Sequence, residues 1–228
     1  MTTLLITILP SLLIVAFFVK SDRFPEPSSQ IIKIFMFGFF LCIPAFLINT
    51  ELSYIYANTD IDEALISSFL SAAPVEEVLK FTVLYSLVYK MKDFNEPIDG
   101  IVYGVTVSLG FATLENIYYV YLLADYFETT SMALAIARSF SAVPAHAVFG
   151  IFMGYFFMKY AFIKKGDNLF FAFVIPFVLH GCYNLFISSS FFAAMLLIII
   201  SWIVALRMFS RLKKTQKKKR KEYEKKVR

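Results

Sequence analysis

Residues 64–89 read ALISSFLSAAPVEEVLKFTVLYSLVY, a 26-residue stretch whose only charges are Glu76, Glu77 and Lys80. An α-helix rises ~1.5 Å per residue, so ~20 residues cross the hydrocarbon layer of a membrane and this stretch is long enough. Its charges are expensive there, at ~2.5 to 3.5 kcal/mol each near a helix centre, so they must face protein or water rather than lipid. One segment therefore predicts both a membrane fold and a polar interior.

The same reading extends along the chain. Apolar stretches recur at 3–19, 31–49, 98–123, 132–158, 169–187 and 191–208, which predicts an all-α, polytopic membrane bundle of about seven transmembrane helices. Of the 228 residues, 59% are hydrophobic and 17% charged, with a mean hydropathy of +0.69, and that composition excludes an ordinary soluble domain. The organisation predicted is a single transmembrane domain over 1–210 and a basic tail over 211–228. The tail holds 11 of the 22 Lys and Arg with only Glu222 and Glu224 against them. Its expected partner is an anionic inner leaflet, and no accompanying motif points to nucleic acid. Cys42 and Cys182 fall within predicted spans and are expected to be buried thiols rather than a disulfide pair.

Cations set the orientation. Lys20, Arg23 and Lys33, then Lys90 and Lys92, then Lys159, Lys164 and Lys165, then Arg207 with the tail, occupy alternate connections. The intervening ones carry Glu51, Asp60, Asp62, Glu63, Asp125 and Glu128 and no cation. The positive-inside rule then predicts an outside amino terminus and a cytosolic carboxyl terminus. The first apolar stretch has no basic region before it and is expected to be a retained span, not a cleaved signal.

The predicted spans also hold Glu115, Arg138, His146 and His180, the two His being the only ones in the chain. Counted from the span ends at ~1.5 Å per residue, Glu76, Glu115, His146 and His180 fall in one slab between mid-membrane and the outer half. Lys80 stands at i+4 from Glu76 and i+3 from Glu77, on a shared helical face. Pro74, Pro144 and Pro176 precede Glu76, His146 and His180 and predict bends that open space beside them.

Two carboxylates and two imidazoles in one cavity suit water activation and proton transfer, as in a peptide hydrolase: one glutamate serves as base and the other as acid. Asn184, one turn beyond His180, is placed to donate to an oxyanion or to orient the ring. His146 and His180 with a glutamate would equally supply the ligands of a catalytic zinc. Glu115 and Asn116 are expected to brace the site, or Glu115 to pair with Arg138; both stay open. Gly150 and Gly154 predict close helix packing, and Asp99 with Gly100 a helix start. A proton- or ion-coupled transporter and a non-enzymatic membrane partner or immunity protein are the competing readings of buried Glu, His and Lys, although no internal repeat of the transporter kind is evident.

Read in order, Ala73-Pro74-Val75-Glu76-Glu77-Val78-Leu79-Lys80, Asp99-Gly100-Ile101-Val102-Tyr103-Gly104, Ser108-Leu109-Gly110-Phe111-Ala112-Thr113-Leu114-Glu115-Asn116, His146 with Gly150 and Gly154, and Leu179-His180-Gly181-Cys182-Tyr183-Asn184 resemble the motifs of PrsW intramembrane proteases. That family is similar in turn to the prenyl-protein (CAAX) endopeptidases and the bacteriocin self-immunity proteins. The resemblance implies a bacterial plasma-membrane endopeptidase making the first, extracytoplasmic cut in a membrane-anchored anti-sigma factor. It implies catalytic roles for Glu76, Glu77, His146 and His180. It leaves zinc and a glutamate-activated water as alternatives. Where many members have Asp four residues after the last histidine, this chain has Asn184, which resembles the prenyl-protease pattern. The spacing of Lys80 departs from the prenyl-protease pattern, so prenylated substrates are not expected.

Overall fold

The computed structural model describes residues 1–163 and 166–227, with side chains described as far as 216. Its helices are α1 (Thr2–Ser21), α2 (Ser28–Tyr56), α3 (Glu63–Leu65), a π-helical segment (Ile66–Ala72), α4 (Ala73–Ser86), α5 (Pro97–Leu122), α6 (Ser131–Phe140), α7 (Ala142–Ile163), α8 (Asp167–Ser189) and α9 (Phe191–Val227). No strand occurs among the described residues.

Helix α5 is the axis of the bundle. The most apolar window of α5 is 89% buried, against 22–28% for α1, α2, α8 and α9, whose outer faces present Leu, Ile and Phe to the surroundings. Small residues let α5 make close neighbours. Gly100 and Gly104 meet Gly154 and Gly150 of α7 backbone to backbone, while Gly110 lies against Phe35 and Val107 against Gly38, both of α2. In lipid, where apolar burial between helices gains little, such close approach supplies the packing energy. α4 is wedged between α2 and α8, and α9 lies on α7 and α8.

Six segments are long and apolar enough to cross a membrane: α1, α2, α5, α6 with α7, α8 and α9. The seventh expected span, 64–89, is divided among α3, the π-helical segment, the 14-residue α4 and a 3-10 turn at Val88–Lys90, and it is not among the six. Helix boundaries differ from the sequence expectation at two prolines. Pro74 sits at the start of α4 rather than in mid-helix, and before it the Ala73 N–H donates to the Ser68 carbonyl five residues back. Pro144 likewise falls in the first turn of α7, and Ser141 (φ −118°, ψ −73°) separates α6 from α7, so the span expected over 132–158 is two helices. The physical reason is shared: a proline has no N–H for the carbonyl four residues before it, and the chain answers with a wider turn or a break. Pro176 does lie inside α8.

The end of the bundle carrying Lys20, Arg23 and Lys90 is tied by side chains. Asp99 accepts from the Glu96 and Asn95 backbone amides (2.6 and 2.9 Å), which makes it the helix-start residue its position predicts. Tyr103 donates to Glu26 (2.7 Å), and Gln216 of α9 donates to Asp22 (2.6 Å) and Glu96 (3.1 Å). Within the expected basic tail, the side chains beyond Gln216 lie outside the described residues, as do Lys164 and Lys165. Cys42 and Cys182 are free thiols.

Candidate active site

Helix α4 delivers three charges to one place, because Glu76, Glu77 and Lys80 share a face turned inward at 5%, 0% and 0% exposure. Lys80 Nζ donates to Glu77 Oε1 (2.7 Å), lies 3.5 Å from Glu76 Oε2, and reaches His146 Nδ1 at 3.2 Å on α7. Its ammonium also stands over the Phe111 ring of α5, 4.3 Å from the centroid. A fully buried lysine is tolerable only with such partners.

Each imidazole is held by a carboxylate. His180 Nδ1 donates to Glu77 Oε1 (2.8 Å), which leaves Nε2 as the nitrogen facing Glu76 Oε2 at 3.9 Å. His146 Nε2 donates to Glu115 Oε2 (2.9 Å), which leaves Nδ1 facing Lys80. The two rings lie 5.2 Å apart, and Phe149 stacks on His180 at 4.9 Å. Ser108 Oγ donates to the His146 carbonyl (2.6 Å) and pins the first turns of α7 to α5.

Glu115 does both things that the sequence left as alternatives. Its Oε2 takes Arg138 (2.9 Å) as well as His146, while Arg138 Nε donates to Asn116 Oδ1 (2.7 Å) and the guanidinium stacks on Tyr119, 3.9 Å from the ring centre. The break at Ser141 gives α6 its own direction, along which Arg138 arrives.

The expected residues thus converge, with one exception. Glu76, Glu77, Lys80, Glu115, Asn116, His146 and His180 form one network. Asn184 is half-buried on α8 and makes no described hydrogen bond to it. Sequence reasoning missed Phe111 and Phe149, because aromatic residues in a chain with 27 Phe carry no local signal.

Glu76, His146 and His180 fit a metal ion. Each offers one ligand atom, these atoms lie within 4.8 Å of one another, and Glu76 Oε2 is buried without a hydrogen-bond partner. A ligating histidine commonly gives its second nitrogen to a carboxylate, and both histidines here do so. Beside the cluster lies a cavity of about 480 Å³, between α2, the π-helical segment and α5, with Glu76 and Glu115 on its wall.

Comparison with known proteins agrees with this arrangement. A chain named Protease PrsW from Geobacillus kaustophilus is 42% identical over 170 residues, covering 74% of this chain and 71% of its own length. Relatives of the same name from Oceanobacillus iheyensis (35% over 211 residues, 90% and 93% covered) and Bacillus subtilis (33% over 187 residues, 80% and 81% covered) extend the match. No solved structure matches the chain. The profile described as PrsW family intramembrane metalloprotease matches residues 26–208, and with a buried Glu/His/His group at the centre of a membrane-type bundle, the chain belongs to that family.

Proposed function

We propose that this peptidase cleaves a single-span membrane protein close to one face of the bilayer, with Glu76 as general base and Glu77 as the residue that positions His180 and Lys80. The observation that carries the division of labour is the asymmetry of the pair: both leave Oε2 unbonded, but Glu77 is fully enclosed and bonded through Oε1 to His180 and Lys80, whereas Glu76 borders the cavity and makes no described hydrogen bond.

A water held between Glu76 Oε2 and His180 Nε2 loses a proton to Glu76 as its oxygen attacks the scissile carbonyl. Glu76 then returns that proton to the departing amine, so the peptide bond breaks with no net change in the side chains. The Lys80 ammonium, 3.5 Å from Glu76 Oε2, offsets the negative charge that grows on the substrate oxygen. Glu115 and Arg138 fix the His146 ring. Glu76, His146 and His180 would hold a divalent ion such as zinc, which would supply Lewis-acid polarisation and a more acidic water; Glu76 would then serve as a ligand rather than as the base.

Orientation supports an extracytoplasmic cut. The cavity opens among the C-terminal halves of α2 and α5, near the loops that carry Asp60, Asp62, Asp125 and Glu128 and no Lys or Arg, which the positive-inside rule assigns to the outside. A membrane-anchored anti-sigma factor of a bacterial plasma membrane suits such a site, and the basic tail suits the anionic inner leaflet.

The test is cleavage of a co-expressed single-span substrate in membranes. Glu76→Gln and His180→Ala abolish the product while the protein stays membrane-inserted, and Glu77→Gln lowers it at least 100-fold. Undiminished cleavage in Glu76→Gln overturns the assignment. Chelation of purified protein removes activity and zinc restores it if the metal reading holds, whereas chelator-resistant cleavage refutes that part alone.

A further inference from the structure

Apart from its Glu76 and Glu115 wall, the cavity has no part in the chemistry proposed above. α2 contributes Cys42, Phe46 and Asn49, α5 contributes Leu114 and Tyr118, and the π-helical segment contributes Ser71. Ser71 Oγ donates to Asn49 Oδ1 (3.2 Å), and the Asn49 amide nitrogen, with two N–H donors, has no described partner. Thr50 and Ser53, also on the wall, are spent on carbonyls of their own helix.

Size restricts the occupant. A helix treated as a cylinder ~10 Å across with ~1.5 Å rise occupies ~120 Å³ per residue, so about 480 Å³ holds about four residues at a time. Chemistry restricts it further. A peptide carbonyl in an intact helix is covered by its own hydrogen bond and cannot be attacked at the adjoining cluster. A backbone opened inside the bilayer needs polar partners, since lipid supplies none. Asn49 and Ser71 are such partners, and Phe46, Leu114 and Tyr118 suit apolar side chains between them.

We propose that this cavity is the substrate subsite beside the scissile bond: it binds about four apolar residues of the substrate's membrane segment in a locally unwound form, with Asn49 and Ser71 bonding the exposed backbone. This deepens the proteolytic reading and rests on it for the identity of the occupant.

The experiment uses full-length Glu77→Gln protein in liposomes, which holds a peptide without cutting it. The probes are two synthetic Leu/Ala transmembrane peptides with one photo-leucine at the centre, one uninterrupted and one with a central Gly-Gly pair that opens the helix. Mass mapping after illumination is expected to place crosslinks on cavity residues such as Phe46, Leu114 and Tyr118. The Gly-Gly peptide is expected to crosslink more strongly than the uninterrupted one, and Asn49→Leu with Ser71→Ala lowers crosslinking of both at least 5-fold, with Asn49→Ser in place of Asn49→Leu recovering part of it. Thermal midpoints of the variants confirm that they fold. Crosslinks confined to lipid-facing residues of α1 or α9, or undiminished crosslinking in the Asn49→Leu, Ser71→Ala protein, overturn the proposal. The readout does not depend on cleavage, so failure of the catalytic assignment shows in the Glu76→Gln assay and failure of the subsite shows here.

Discussion

Gly154→Ala tests whether the α5–α7 contact holds the site in register. A Cβ built at Gly154 falls 1.9 Å from the Gly100 carbonyl oxygen, 2.6 Å from its carbon and 2.9 Å from Ile101 Cα, all of them backbone, whereas ordinary contact begins near 3.4 Å. The helices must separate by about 1.5 Å, because no flexible side chain is there to yield. Two effects oppose each other. Alanine favours a helix over glycine by up to ~1 kcal/mol, while overpacking costs ~1–3 kcal/mol, and a backbone clash belongs at the upper end. The net expectation is a loss of ~2 kcal/mol, or ~4–8 °C in the midpoint of helix loss followed by circular dichroism in detergent, given ~2–4 °C per kcal/mol for a chain of this size.

The same displacement has a catalytic readout. Glu115 rides on α5 and His146 on α7, and their 2.9 Å contact does not survive a substantial share of that separation. Cleavage measured below the new midpoint is expected to fall at least ~10-fold, since misplacement by ~1 Å can cost ~100-fold. Gly166→Ala is the matched control: a Cβ there meets nothing within 4 Å, and its midpoint and activity should stay at the parent values. If Gly154→Ala matched the parent in both, helix spacing would not govern the site.

Two further outcomes are expected. Arg138→Gln leaves the Glu115 carboxylate and the Asn116 carbonyl without their cation, and removing one partner of a buried pair costs ~3–5 kcal/mol before discounting for the partial exposure here; lower thermal stability and slower cleavage should appear together, with Arg138→Lys recovering only part of each. Glu26, between α1 and α2, has its carboxyl pushed up to about 6 from 4.5, chiefly by burial, with the hydrogen bond from Tyr103 opposing and the charges of Asp93 and Asp22 adding. A raised carboxyl favours the folded state most when protonated, so its contribution is complete below pH 4.5 and is lost as pH rises through about 6. Glu26→Gln should flatten the stability profile across that window in detergent melts, and an unchanged slope would show that Glu26 does not titrate there.

Apolar run length exposed the spans, and the cost of charge in lipid exposed Glu76, Glu77, His146 and His180 as residues that had to meet. What they bond to was not legible. That Lys80 bridges from α4 to His146, and that one oxygen of Glu115 serves both Arg138 and His146, depend on helix rotations that no periodicity encodes in a chain apolar on nearly every face. Pro74 and Pro144 were visible as disturbances, yet whether a proline bends a helix or restarts one depends on what packs beside it. Asn184 shares a helical face with His180, but a shared face does not by itself make a bond to the cluster, and none is described for it. Asn49 stood at the very end of the α2 apolar run, where a polar residue reads as a boundary.

The segment bearing the acidic pair is also the one that does not qualify as a span by itself. Its Glu76, Glu77 and Lys80 pair with one another within α4 and find their further partners in His146 of α7 and His180 of α8, both of which are synthesised later. The cluster is therefore complete only once both later helices have packed against α4, and a chain ending before α8 lacks His180 and with it an assembled site.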